Sequence, residues 1–264
     1  MNPFGKTGTA PLYSPESHTF ISYKPQNKMI NTSDFLRYNR PMAMEEVGVL
    51  GQTKIKQARV LIIGAGGLGC PVALYLAASG VGTLGIVDFD TVEIHNLHRQ
   101  ILYHEKDVNN YKTIIAAERL KTCNPHITVQ IHNVKLTAEN ALSILINYDY
   151  IVDGSDNFST RYLVNDSCVD LDKTLIYGSI LGFEGQLAVF NHQGSKDLRA
   201  LFPEAPDSKL VPNCSLNGVL GTFTGIIGSM MAHETIKVIV DLPHLNNELL
   251  MIDTKNWMWT KLQF

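Results

Sequence analysis

The chain has 264 residues, 45% of them hydrophobic, with 22 Lys and Arg against 25 Asp and Glu and a formal net charge of -3. That length and composition predict a soluble globular protein with a sizeable core, and the lack of a basic field argues against a nucleic-acid partner. The first thirty residues hold Lys6, Lys24, Pro3, Pro11, Pro15 and Pro25 but no apolar run of the kind a signal peptide or membrane span needs, so a cytoplasmic chain is expected. Cys70, Cys123, Cys168 and Cys214 lie far apart with no C-x-x-C pair, and reduced thiols are expected.

Residues 1–32 are rich in Ser, Thr, Pro and Asn without periodicity and predict a flexible arm, with one folded domain over 33–264. Ser33 and Asp34 suit the cap of a short helix through Phe35, Leu36 and Tyr38, limited by Pro41, and a second helix is expected over 44–56. Val60-Leu61-Ile62-Ile63 is a continuous apolar run, as a parallel strand buried on both faces requires. It leads into Gly64-Ala65-Gly66-Gly67-Leu68-Gly69 and a helical stretch over 71–79. Gly80 and Gly82 break that helix before the second strand, Thr83-Leu84-Gly85-Ile86-Val87, which completes a βαβ unit.

A helix over 113–122, a strand over 127–134, a helix over 138–146 and the buried strand Tyr150-Ile151-Val152, ending at Asp153, follow. Next come a helix over 161–171 and strands over 174–177 and 185–190. Beyond 190 the pattern changes. The segment 197–217 carries Pro203, Pro206 and Pro212 and reads as a long crossing loop near the site. A long helix over 219–240, with Gly221, Gly225 and Gly228 for close packing, precedes a closing hairpin over 248–263. The sum is an α/β fold: a Rossmann-like doubly wound sheet, mostly parallel, with a C-terminal antiparallel extension.

A glycine loop between strand and helix favours anions through its N–H groups, which makes Gly64, Gly66, Gly67 and Gly69 candidate phosphate binders, but dehydrogenases and flavoproteins share the motif. Asp88 ends the second strand, where an acid can bond ribose hydroxyls. Asp90 suits either magnesium or the cap of the segment at Thr91. Asn96, Arg99, Gln100 and Lys112 add amides and two cations, which suit a triphosphate under cleavage better than a nicotinamide; singly, each is also compatible with a salt bridge or solvated face. Asp156 and Asn157 follow the third buried strand at the edge where such sheets bind ligands. Asp156 suits magnesium with waters and phosphate oxygens, and a helix N-cap is the rival role, which Asn157 or Ser159 can equally fill.

From Arg37 onward the chain resembles the ThiF/MoeB/HesA family, bacterial relatives of ubiquitin-activating enzymes. The resemblance rests on Arg37-Tyr38-Asn39-Arg40, the loop at 64–69, Asp88-Phe89-Asp90, Asn96-Leu97-His98-Arg99-Gln100, Lys112, Asn124-Pro125, Asp156-Asn157, Glu184-Gly185-Gln186 and the stretch from Cys214 to Gly221. It implies ATP- and magnesium-dependent adenylation of the C-terminal glycine of a ubiquitin-like sulfur-carrier protein ending in Gly-Gly. The products would be an acyl-adenylate and pyrophosphate, in thiamine or molybdopterin synthesis, within a homodimer. Family positions matching Gly67, Asp88, Asn96, Arg99, Lys112 and Asp156 bind nucleotide and phosphate; Arg40 matches an arginine donated across the dimer, and Arg37 is assigned a structural role. A C-terminal carboxylate is ionised at neutral pH, so no general base is required, and no Ser-His-Asp set stands out.

Cys214 matches a position that can link covalently to the carrier, although a lone cysteine is often a small buried hydrophobe and Cys214-Ser215-Leu216-Asn217 departs from the family context. Cys70, Cys123 and Cys168 are expected in the core, and His95 and His98 on the ribose side of the pocket. Many relatives bind a structural zinc through two C-x-x-C pairs. Here Asp197-Leu198-Arg199-Ala200 occupies the first pair's place and no second pair precedes Phe264, so no zinc is expected. Gly80-Val81-Gly82-Thr83-Leu84 and Arg99-Gln100-Ile101-Leu102 lean toward the thiamine branch. Three other readings stay open: peptide adenylation in natural-product maturation, a non-catalytic subunit that binds a ubiquitin-like protein, and a nicotinamide-dependent oxidoreductase. Retention of Arg40, Arg99, Lys112 and Asp156 argues against the non-catalytic one.

Overall fold

The apolar runs at 60–63, 83–87 and 150–153 lie side by side at the centre of one sheet. In the computed structural model, which describes residues 29–206 and 218–264, the strands are β1 (Arg59–Ile63), β2 (Thr83–Val87), β3 (Thr128–His132), β4 (Tyr150–Asp153), β5 (Thr174–Leu181), β6 (Glu184–Phe190), β7 (Glu248–Asp253) and β8 (Met258–Gln263). They pair in the order β3-β2-β1-β4-β5-β6-β7-β8. The first five strands of that order are parallel neighbours and the rest antiparallel.

Helices cover both faces of the parallel part, which is why β1 is apolar without alternation. Successive side chains point to opposite faces. Val60 and Ile62 therefore pack with α3 (Gly69–Ser79), α4 (Lys112–Cys123) and α8 (Gly221–Ile239), whereas Leu61 and Ile63 pack with α5 (Ala141–Leu145) and α6 (Phe158–Asp170). Burying one such aliphatic side chain contributes about 1.5–3 kcal/mol. No helix among the described residues is long and apolar enough to cross a membrane.

The strands, the closing hairpin and the α3 and α8 helices follow the sequence reading; several boundaries do not. The entry helix α1 (Thr32–Met42) begins inside the span assigned to the arm, and its cap is Asn31, not Ser33 or Asp34. Asn31 Oδ1 accepts the Asp34 N–H at 2.9 Å and Asp34 Oδ2 accepts the Asn31 N–H at 2.9 Å, a reciprocal box. Pro41 sits within the last turn, after a kink at Tyr38 (φ -110°, ψ 18°), and the helix ends one residue beyond it at Met42. The next helix, α2 (Gly48–Gln57), starts four residues later than the expected Met44. Strand β3 is short and mostly solvent-facing because it is the edge of the sheet, and α5 is shorter than 138–146. In contrast, β5 runs on to Leu181 because its far half pairs antiparallel with β6. Within the expected crossing loop stands one helical turn, α7 (Leu198–Leu201), capped by Asp197; residues 207–217 of that loop lie outside the described residues.

Candidate functional site

Winding of the sheet reverses between β1 and β4, and a cavity of about 800 Å³ opens there at the strands' carboxyl ends. Open α/β sheets bind ligands at such a reversal. The glycine loop between β1 and α3 forms one wall. Gly64 takes a left-handed φ of +87°, and a Cβ on Gly69 would stand 1.9 Å from the Gly64 carbonyl oxygen, so only these small residues let α3 start hard against the strand. Gly64, Gly66 and Gly67 line the cavity; Gly69 packs behind them.

Asp88, at the end of β2, lines the cavity while bonding backbone on both oxygens: Oδ2 accepts the Ala65 N–H at 2.8 Å and Oδ1 the Asp90 N–H at 2.8 Å. Burial pushes its carboxyl above the ordinary 3.8 against the opposing pull of Lys112. Lys112 opens α4 as a buried cation, its Nζ 2.9 Å from Asp90 Oδ2. The Asp90 carboxylate is thus a lysine partner, a role that neither expectation for it contained.

Asn96 does not line the cavity. Its Oδ1 accepts the Glu93 N–H at 3.0 Å and closes the turn Ile94–Asn96, and the Asn96 carbonyl accepts the Arg99 and Gln100 N–H groups at 3.1 and 3.0 Å. The expected nucleotide ligand here holds the turn that directs Arg99 and Gln100 into the cavity. The Arg99 guanidinium donates to His98 Nε2 at 2.7 Å and to the His95 carbonyl at 3.0 Å, and both histidines line the same wall. Desolvation and the Arg99 charge hold His98 below its ordinary 6.5, which keeps it an acceptor.

Across the crevice, the turn after β4 brings Asp156 and Asn157 to the cavity. Asn157 is the cap of α6: its Oδ1 accepts the Thr160 N–H at 2.9 Å and the Ser159 hydroxyl at 2.8 Å. Capping therefore falls to Asn157 and leaves Asp156 exposed at the cavity wall.

The sequence reading passed over Arg161, treated there as a helix start. Its buried guanidinium donates to Ser179 Oγ at 2.9 Å, Tyr177 Oη at 3.3 Å and the Ser155 carbonyl at 3.2 Å, beside the buried carboxylate of Asp153. A cation in the first turns of a helix runs against the helix dipole, and that was the available signal. Gln100 Oε1, Ser155 Oγ and Arg161 Nε are buried without a hydrogen-bond partner, and all three residues line the cavity. Buried polar groups are normally paired, so on both sides of the crevice the cavity holds polar atoms that a polar ligand would complete, Arg161 Nε also standing 3.9 Å from Asp153 Oδ2.

Arg40 stands exposed on α1 and is not among the cavity-lining residues. Cys214 lies outside the described residues. Cys70 is fully buried, its thiol pushed up to about 12, and Cys168 is likewise buried and raised, which leaves both inert as thiolates; Cys123 is half-buried. At the place of the relatives' first C-x-x-C pair, Asp197 caps α7 and Arg199 grips Asp166 through two bonds of 2.7 Å, with its guanidinium 4.9 Å over the Tyr162 ring.

Comparison with known proteins places the chain in a family. Residues 38–264 match the model of the ThiF family. The chain is 49% identical over 225 residues to the adenylyltransferase and sulfurtransferase MOCS3 of Culex quinquefasciatus, covering 85% of this chain and 51% of that protein. It is 46% identical over 232 residues to the sulfur carrier protein adenylyltransferase of Thermus thermophilus, covering 86% of each. The chain thus spans about half the length of the MOCS3 relatives and most of the Thermus one. Among solved structures, E. coli MccB superposes with a TM-score of 0.77 at 22% identity, covering 89% of this chain and 71% of that one, a likeness of fold. With the family model spanning the chain from Tyr38 to Phe264, this protein belongs to the ThiF family.

Proposed function

We propose that the cavity binds ATP and that the protein uses it to adenylate the C-terminal carboxylate of a ubiquitin-like sulfur carrier ending in Gly-Gly. The observation that carries this reading is the convergence of Arg99 and Lys112 with the glycine loop on one side of a single cavity and Asp156 on the other. Relatives named for adenylation of sulfur carriers supply the substrate class.

In this reading the loop N–H groups hold phosphate oxygens and Asp88 accepts from the ribose hydroxyls. Phe89, with Lys135 Nζ 5.9 Å from its ring centroid, lines the base side. The ionised acceptor carboxylate attacks the α-phosphorus: a carboxylate O–P bond forms, the bond to the β-phosphate breaks, and pyrophosphate leaves. No proton needs to be removed. Arg99 and Lys112 neutralise the charge that builds on the phosphates, and Gln100 adds an amide donor. Asp156 fits magnesium in its usual mode, one or two carboxylates plus phosphate oxygens and water, because its carboxylate is exposed at the cavity while Asp88 and Asp90 are engaged. Bound there, the ion would supply Lewis-acid charge stabilisation.

Arg40, outside its own chain's cavity, is assigned to the site of a second copy in a homodimer. Residues 33–264 act as one adenylyltransferase unit, in a cytoplasmic setting that suits the three free thiols among the described residues. A protein-sized acceptor suits the exposed apolar side chains of the antiparallel extension, Leu181, Phe183, Met258 and Leu262.

The test is ATP–pyrophosphate exchange with candidate carriers ending in Gly-Gly. Exchange is expected with one carrier, and the carrier that supports it decides between thiamine and molybdopterin synthesis. Cys214→Ala should keep exchange while sulfur transfer fails. Absence of exchange with every carrier, alongside nicotinamide binding, would contradict the reading.

A further inference from the structure

The two peptide groups that flank the Ala65 Cα sit in the glycine loop, and each is gripped by a side chain. The Ala65 N–H donates to Asp88 Oδ2 at 2.8 Å, and the Ala65 carbonyl accepts from the Tyr103 hydroxyl at 2.9 Å. Cys70 Sγ reaches the same carbonyl at the longer distance of 3.4 Å. Tyr103 is 4% exposed and is not among the cavity-lining residues, so it has no direct route to a ligand there. Its own backbone N–H donates to the carbonyl of Gln100 at 3.1 Å, within the turn that carries Arg99 and Gln100. One side chain therefore bolts the wall that offers loop N–H groups to the wall that offers the guanidinium and the amide.

We propose that Tyr103 is a positioning residue for nucleotide binding: by holding the Ala65 carbonyl, it fixes the loop's amide donors in register with Arg99 and Gln100. The proposal rests on the reading of the cavity as a nucleotide site. Burial keeps the phenol protonated, well above its ordinary 10.0, so it remains a donor across the working pH range. Without the hydroxyl, the Ala65 carbonyl keeps the weaker sulfur donor, and the Ala65–Gly66 peptide, which carries the Gly66 N–H, is freer to rotate while the preceding peptide stays anchored on Asp88. Loop N–H groups then lose alignment in the unbound protein, and the cost emerges when phosphate must reorder them.

The experiment is equilibrium binding of ATP and of a non-hydrolysable ATP analogue to the full chain, for wild type, Tyr103→Phe and Cys70→Ala. Thermal unfolding of each variant is measured alongside. Tyr103→Phe should weaken nucleotide binding by about three- to tenfold, the scale of one lost hydrogen bond, and should raise KM for ATP by the same factor. KM for the acceptor should stay unchanged. Cys70→Ala should move binding less than Tyr103→Phe. A Tyr103→Phe protein that melts lower yet binds nucleotide like wild type would overturn the proposal, since a purely structural role reduces the folded fraction without moving Kd. Failure of wild type itself to bind any nucleotide would overturn the reading of the cavity on which the proposal rests, a result separable from the first.

Discussion

At the centre of the sheet β2, β1 and β4 turn their apolar side chains inward, whereas from β6 to β8 it ends in a strand with all six residues exposed, Met258, Trp259 and Leu262 among them. Around those central strands, helices cover both faces and the carboxyl edge carries the polar cavity. The antiparallel part has an apolar surface with no internal use among the described residues. The first region is a scaffold that positions the cavity, and the second is the surface proposed above to meet the carrier.

Stability should separate the two regions most strongly. Leu61→Ala, at a residue with no exposure in β1, should cost about 2–5 kcal/mol in denaturant unfolding. Leu262→Ala on the exposed strand should change it by less than about 0.5 kcal/mol. A comparable loss at Leu262 would mean that the extension belongs to the core.

Chemistry should separate them next. Arg99→Ala should lower pyrophosphate exchange by about 10²–10³-fold, the range found for removing one preorganised charge-stabilising donor. Met258→Asp with Leu262→Asp should instead raise KM for the carrier by about tenfold, the effect of losing about 1.4 kcal/mol of apolar contact, and should leave ATP binding unchanged. If the paired substitution lowers ATP affinity and spares the carrier, the division of labour is wrong.

The smallest effect concerns pH. Because burial raises the Asp88 carboxyl above 3.8, ATP affinity should be full above that raised value and fall as pH drops through it, earlier than for an ordinary carboxylate. The effect on folding has the opposite sign: a raised pKa means that ionised Asp88 costs stability, a cost relieved as pH falls through its folded value. Asp88→Asn should flatten the acid limb of ATP affinity; an unchanged limb would assign it to another group.

Legibility from sequence divided along similar lines. β1, β2 and β4 were readable because two-sided burial writes itself as uninterrupted Val, Leu and Ile, and the loop was readable because Gly64 and Gly69 answer to backbone geometry alone. Cap partners were harder. Asn157 was one of two caps the sequence offered for its helix, whereas Asn31, which caps through a contact three residues away, was obscured by Ser33 and Asp34 beside it. Long-range polar partners were invisible: nothing local announces that Asp90 takes Lys112 or that Arg161 reaches across to Ser179. Those pairings depend on which strands lie adjacent, and register, not propensity, decides that.

The most direct test of attack on the α-phosphate uses a carrier whose C-terminal carboxylate is enriched in oxygen-18. After adenylation and cleavage of the acyl-adenylate by hydroxylamine, the account predicts label in AMP and none in pyrophosphate. Label in inorganic phosphate with ADP as the product, or unlabelled AMP, would contradict it.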